Sequence, residues 1–399
     1  MRNVPKLRFK EFSGEWEEKK FDEVFSFLQN NTFSRDCLTN EKQDVQNIHY
    51  GDILVKYNDI LEIDDKIPYI KKENSLEKFN SESYLKTGDI VIADTAEDFT
   101  VGKTIEIYNP EQKKVLSGLH TFSCKTNFDF ALGYLGQYLN TEKYHSQLIP
   151  LITGIKVSSI SKNSIKGTKI SFPIIKEQQK IADFLSSVDK KISITEEKLD
   201  LFKDYKKGIM QKIFNQELRF KDSKGNDYPK WEEKRLGELC DICTGKKDTQ
   251  NKIENGRYPF FVRSQIVERI DSYSYDGEAI LTAGDGVGAG KVFHYINGKF
   301  DYHQRVYKLS DFKNCLGRFI FEKFRKDFIK EVRKYNAKTS VDSIRMEMIT
   351  NMLISLPCLE EQQKIADFLS SIDNKIDNLA TELEDLKEFK KGLLQQMFV

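Results

Sequence analysis

Apolar residues keep a regular beat along two long stretches of the chain. Ile181, Leu185, Val188, Ile192, Thr195, Leu199, Phe202, Ile209 and Ile213 follow steps of four and three, with one lapse at Lys206. Ile365, Leu369, Ile372, Ile376, Leu379, Leu383, Leu386, Leu393 and Met397 hold the same phase and lapse at Lys390. This spacing is the a/d seam of a coiled coil. No proline interrupts either run, and Pro173 and Pro357 stand just upstream, where a helix has yet to begin. At 1.5 Å per residue each helix comes to roughly 55 Å. An apolar stripe of that length is costly in water, so the two copies are expected to bury their seams against each other. The alternative is that each helix packs only on its own domain.

The two runs are copies. Glu177-Gln178-Gln179-Lys180-Ile181-Ala182-Asp183-Phe184-Leu185 returns unchanged as Glu361-Gln362-Gln363-Lys364-Ile365-Ala366-Asp367-Phe368-Leu369, an offset of 184 residues. A second repeat opens each half. Leu7-Arg8-Phe9-Lys10 followed by Trp16-Glu17-Glu18-Lys19 answers Leu218-Arg219-Phe220-Lys221 followed by Trp231-Glu232-Glu233-Lys234. The chain therefore reads as a duplicated molecule. A first domain is expected over 1–175, a helix over 176–216, a second domain over 217–358 and a second helix over 359–399.

Between these fixed parts the hydrophobic pattern changes to short alternating runs broken by turn residues. In the first body Ile53-Leu54-Val55 after Gly51-Asp52, and Ile90-Val91-Ile92-Ala93 after Gly88-Asp89, read as strands entered through tight turns. Residues 130–148, with Leu132, Leu135, Leu139 and Tyr144, read as a helix. The second body repeats these parts: Gly277-Glu278-Ala279-Ile280-Leu281 matches the Gly88 strand, Gly290-Lys291 matches Gly102-Lys103, and 315–335 is its helix. Gly154–Ile160 and Lys338–Ile344 align at the offset already seen in the helices. Frame and helices repeat nearly verbatim while the bodies share only an outline. Drift alone would blur everything evenly, so this contrast suggests one scaffold presenting two different recognition surfaces.

The twin E-Q-Q-K-I-A-D-F-L helices, the proline before each and the W-E-E-K opening of each body are specific. With them the chain resembles the specificity (S) subunit of type I restriction–modification systems over essentially its whole length. The resemblance implies an α+β fold: two mixed α/β target-recognition domains separated by an antiparallel coiled coil of two long helices, related by a pseudo-twofold internal repeat. It implies that each domain reads one half of a bipartite, asymmetric double-stranded DNA site. The helices would set the spacing and dock two methyltransferase (M) subunits, and restriction (R) motor-nuclease subunits would join in the full complex. No cofactor is expected on this chain; S-adenosylmethionine, ATP and Mg are expected on the partners. The alternative is a coiled-coil interaction scaffold that binds no DNA.

Base edges in the major groove are read by Arg or Lys at guanine and by Asn or Gln at adenine, while Lys, Arg, Ser and Thr hold phosphates. In the first body His49, Tyr50, Lys56, Tyr57, Lys103 and His120 lie beside expected strand-edge turns, and Lys156, Ser158 and Ser159 form a polar loop. In the second, Arg257, Arg263, Ser264 and Gln265 are near neighbours, as are Tyr302, His303, Gln304 and Arg305; Lys338, Thr339 and Ser340 mirror the earlier polar loop. Any one of these is an ordinary solvated side chain if it does not touch DNA. The stretch 284–291 has a phosphate-cradle composition, yet Lys291 is followed by Val292 rather than Ser or Thr, so it is not a P-loop. A loop lining the DNA groove, with Lys291 on a phosphate, is the preferred reading; a plain hairpin connection is the alternative.

Composition narrows the remaining classes. Acids and bases nearly balance at a formal net charge of +1, which neither names nor excludes a nucleic-acid partner. The six cysteines are scattered, and the one C-x-x-C, Cys240 and Cys243, has no second pair to complete a zinc site, so no metal is expected. No run is long and apolar enough to span a membrane, and reduced cytoplasmic thiols are the expectation. The five histidines form no H-E-x-x-H, and no Asn/Asp-Pro-Pro-Tyr/Phe tetrapeptide of amino-methyltransferases occurs. The chain is expected to perform no chemistry itself.

Overall fold

The computed structural model describes residues 3–110, 113–154, 157–335 and 343–399. The chain divides into two compact units. One comprises Met1–Glu197 with Ala380–Val399, the other Lys198–Leu379, so each takes part of both long helices.

The first unit holds a five-stranded sheet in the order Phe25–Phe27, Thr121–Thr126, Ile90–Ala93, Thr104–Tyr108 and Ile60–Glu62. All neighbours are antiparallel except Ile60–Glu62 with Thr104–Tyr108. The central strand Ile90–Ala93 is buried on both faces, as its unbroken apolar run requires. Gly88 before it takes φ +87°, a conformation that favours glycine. A four-stranded sheet of Lys114–Ser117, Val45–Ile48, Tyr69–Ile70 and Leu38–Thr39 lies beside it in this unit alone.

Two elements depart from expectation. Ile53-Leu54-Val55 is not a strand but the end of a helix, Tyr50–Val55. The His49 side chain accepts the Gly51 N–H at its start, and the C-terminal carbonyls meet Lys103, so end contacts override β-branched propensity. Residues 130–148 form two helices, Tyr134–Leu139 and Glu142–Leu148. Asn140 separates them: its amide donates to the carbonyls of Thr104 and Gly136, and Thr141 caps the second helix.

The second unit holds a six-stranded sheet: Asp241–Thr244, Val306–Ser310, Tyr275–Ala283, Phe293–Tyr302, Tyr258–Phe261 and Glu268–Ile270. Its first five strands repeat the order and directions of the five-stranded sheet, including the one parallel pair. The helix Gly317–Tyr335 covers this sheet with Phe319, Ile320, Phe324, Phe328 and Val332, all fully buried.

The long helices span Ile175–Phe214 and Leu359–Met397. Within the first unit, residues up to Glu197 run antiparallel to 380–397, with Lys390 bonding Asp189 at 2.7 Å and Lys387 bonding Glu196 at 2.8 Å. Within the second, 198–214 and 359–379 do the same, with Lys206 on Asp373 at 2.6 Å. Ile181, Leu185, Val188, Thr195, Leu199, Ile365, Leu369, Ile372, Leu379 and Leu383 are buried, and Ile192, Phe202, Ile376 and Leu386 partly so. The seam does not serve helix pairing alone. Ile181 and Leu185 share one core with Trp16, Tyr134 and Tyr138 of the body and with Met397 and Phe398 of the other helix. Ile365 and Leu369 share the equivalent core with Phe319, Ile213 and Phe214.

The two lapses in the seam are ammonium groups held by acids, that of Lys206 buried and that of Lys390 partly so. Lys206 lies between Asp373 and Glu322, and Lys390 between Asp189 and Asp59. Burial pulls the Lys390 pKa down, but the two carboxylates together carry it above its ordinary value. A single charged pair at a seam position pins register, because any slip strands the charge.

The opening segments explain the rest of the repeat. Arg8 grips Glu177 through both carboxylate oxygens, at 2.7 and 2.8 Å, and Arg219 grips Glu361 at 3.1 and 2.7 Å. The next glutamine accepts a backbone N–H of its body (Ala131 or Leu316) and donates to the carbonyl of Pro173 or Pro357. Glu177 and Glu361 are essentially inaccessible. The repeated Leu-Arg-Phe-Lys and Glu-Gln-Gln stretches are thus two halves of one clamp, made once per unit.

Candidate nucleic-acid interface

The candidates cluster where the central strand of each body ends. In the first unit Thr121 pairs with Ala93, and the Asp94 N–H donates to the His120 carbonyl. In the second, Val306 pairs with Ala283, and the Gly284 N–H donates to the Arg305 carbonyl. Ile160 and Ile344, aligned in the repeat, each donate their N–H to the same strand end, at Asp94 and Gly284. His120 and Arg305 therefore occupy one backbone seat in two bodies. Both are exposed.

Around His120 the first body assembles a connected polar surface. Ser158–Ser159 pairs with Thr95–Ala96, and the Thr95 hydroxyl lies 3.3 Å from His120 Nδ1 while donating to Asp94. The Tyr50 ring meets His120 edge-on, with centroids 5.3 Å apart, and stacks obliquely on His49. Asp52 takes Arg35 at 2.6 Å and Lys56 at 2.8 Å. Burial alone would raise the Asp52 pKa; the two cations outweigh it, so the group stays a carboxylate. His49 is buried, its pKa lowered by burial and by Arg35, and it spends Nδ1 on the Gly51 N–H. It is a helix cap rather than a free reader. Tyr57 is half-buried against the core.

Lys103, expected as a DNA contact, is engaged within the fold. Its ammonium donates to the carbonyls of Leu54 and Tyr57, and burial lowers its pKa. It closes a helix C-terminus, where a cation is favoured. Its aligned partner Lys291 is exposed.

In the second body Asp285 gathers two of the expected readers, Arg263 at 3.0 Å and Arg305 at 3.7 Å. Gln304 donates to Asp248, and Gln265 and Arg257 are exposed, the latter 3.8 Å from Asp271. Ser264 donates to the Ile266 carbonyl and so shapes its own turn. Tyr302 and His303 are corrections. Tyr302 is a core residue with its hydroxyl 3.3 Å from Cys243 Sγ, and burial raises its pKa. His303 is buried, accepts the Arg305 N–H through Nδ1, and is lowered in pKa by burial and by Arg263. It holds the turn that presents Arg305. Lys156, Lys338, Thr339 and Ser340 lie outside the described residues.

Sequence reading missed the acidic members. Asp94, Asp248 and Asp285 hold His120, Gln304 and the two arginines respectively, and nothing local marks them among so many carboxylates. It also missed two exposed apolar tips. Phe99 is 79% exposed and Val287 91% exposed, each three residues before the aligned glycine, Gly102 or Gly290. That Gly-Lys alignment was the available signal. Both glycines have positive φ, and a Cβ there would strike Leu148 or Ile329. Among the described residues no group of three or more His, Cys, Asp or Glu is placed to hold a metal ion, and no helix is long and apolar enough to cross a membrane.

Comparison with known proteins bears on this surface. The type I restriction modification DNA specificity domain family matches twice, over residues 13–201 and 228–388. The EcoDI specificity subunit of a type I restriction enzyme from Escherichia coli is 30% identical over 41% of this chain and 37% of its own length. The MjaVIII specificity subunit from Methanocaldococcus jannaschii is 29% identical over 60% of this chain and 64% of its own length. The aligned region thus spans about a third to two thirds of these two relatives. A crystal structure of the S subunit of a type I restriction–modification system from M. genitalium has the same fold, with a TM-score of 0.65 at 15% identity over 99% of both chains.

Proposed function

The chain belongs to the type I restriction modification DNA specificity domain family, and on that premise we propose that it is the sequence-reading subunit of such a system. Each body reads one half of an interrupted, asymmetric target in double-stranded DNA. The paired helices set the gap between the halves and dock two methyltransferase (M) subunits, with restriction (R) subunits completing the assembly. S-adenosylmethionine, ATP and Mg belong to those partners, and this chain works in the cytoplasm without chemistry of its own.

The observation that carries the reading is the shared seat of His120 and Arg305. The same strand-end position presents an imidazole in one body and a guanidinium in the other, held by Thr95 or Asp285. An arginine so placed suits the O6 and N7 acceptors of guanine. The same scaffold with different side chains at the reading position is what an asymmetric target demands. The test is duplex binding by the chain, with its methyltransferase partner, across a salt series. Affinity should fall steeply and linearly with log salt as phosphate contacts release counterions. Binding that is absent, or insensitive to salt, would favour a protein-interaction scaffold instead.

A further inference from the structure

The long helices line a matching cavity in each unit. In the unit Lys198–Leu379, a cavity of about 500 Å³ is walled by Lys203, Lys206, Lys207, Arg325, Lys326 and Lys330. Met210 and Ile376 give it an apolar floor, and Asp373 supplies a carboxylate. The residues that repeat these helix positions, Lys387, Lys390, Lys391, Leu394 and Ile192, line a cavity of about 300 Å³ in the other unit. There the body contributes Asn140, Thr141 and Glu142 instead of three cations. The frame is the same and the insert decides the charge.

In the smaller cavity the lysines are neutralised. Lys387 meets Glu196 at 2.8 Å, Lys390 lies between Asp189 and Asp59, and Lys391 is 3.9 Å from Glu142. In the larger one acids are too few. Lys206 takes Asp373 at 2.6 Å and shares Glu322 with Arg325, Asp327 is shared by Lys323 and Lys326, and among the described residues Lys203 reaches only the exposed Asp200. Lys207 and Lys330 are exposed and have no carboxylate partner among the described residues. A concave wall with surplus cations concentrates multiply charged anions. Phosphate oxygens match guanidinium and ammonium donors, and the volume suits one small ligand.

We propose that the cavity of Lys207 and Lys330 binds a phosphate-bearing anion and that its twin does not. Two sources share that chemistry: a free polyphosphate such as pyrophosphate or a nucleotide tail, and the backbone of a DNA strand. Calorimetric titration of pyrophosphate into the full chain without DNA tests the first, and the salt slope of duplex binding tests the second. The variants are Lys207→Ala/Lys330→Ala and, as the twin control, Lys391→Ala; all three side chains are exposed, so the core is untouched. Pyrophosphate should bind the wild-type chain and bind the double variant roughly tenfold or more weakly, as loss of charge-assisted contacts implies, with Lys391→Ala unchanged. If pyrophosphate is silent but the double variant lowers the salt slope by about one to two, the ligand is the DNA backbone. If neither quantity moves, or Lys391→Ala moves it equally, the proposal is wrong.

Discussion

Removing the arginine of each clamp should destabilise the two units unequally. Arg8 and Arg219 make the same two bonds to a buried glutamate, yet the glutamates differ in what remains. Glu361 also accepts the Trp231 indole N–H at 3.0 Å, whereas the buried Trp16 N–H has no partner and Glu177 relies on Arg8. Stranding one member of a buried pair costs about 3–5 kcal/mol, and a hydrogen bond to a charged group retains about 1.5–3 kcal/mol. Arg8→Ala should therefore cost its unit about 3–5 kcal/mol and Arg219→Ala about 1.5–3 kcal/mol less. The assay is built into the chain, since its two tryptophans fall one in each unit. Urea unfolding followed by Trp16 fluorescence in a Trp231→Phe background reports Arg8→Ala. The reciprocal background, Trp16→Phe, reports Arg219→Ala. Equal losses, or a larger loss for Arg219→Ala, would refute the reasoning, and losses under ~0.5 kcal/mol would dismiss the clamp altogether.

Arg305→Ala should relax base preference at one position in one half of the target, at a cost of about 1–3 kcal/mol; a methylated motif identical to that of the wild type counts against it. Phe99→Ala should weaken duplex binding by about 1–3 kcal/mol if the exposed ring stacks on or wedges between bases, and unchanged affinity in a filter or fluorescence titration would return the ring to the solvent. Glu106 is buried, and burial pushes its carboxyl up to about 7 despite the N–H groups of Gly133 and Gly136. A carboxylate raised in the folded state binds more protons there, so stability of that unit is fully present below the unfolded value near 4.3 and is lost as pH rises through about 7. The urea midpoint of Trp16 should fall between about pH 4 and 7 and level off above that, and Glu106→Gln should flatten that fall.

Periodicity made the long helices legible, because a seam of nine positions repeated in phase leaves few other structures. It did not show that the seam is shared between helix and body, since Ile181 looks the same whether it meets Met397 or Tyr134. Local β-propensity misread Ile53–Val55, where a side-chain cap at His49 and an ammonium from Lys103, distant in sequence, decided for helix. The candidate surface was half legible. Exposed Arg305, Gln304 and His120 carry their chemistry in their identity, but Tyr302 and His303 beside them turned inward. The strand ends at Tyr302 and His303 closes the turn that follows, which is why the four neighbours do not all face one side. The carboxylates that hold these side chains became visible only once strand ends were paired.

The central claim is that two unlike bodies read two unlike halves. Its most direct test is the methylated motif of a genome carrying this chain with its partner subunits. The motif is mapped for the wild type and for a chain whose second body, residues 236–352, is replaced by that of a relative. One half of the motif should change while the other half and the gap between them persist. A motif that stays whole, or changes in both halves, would contradict the account.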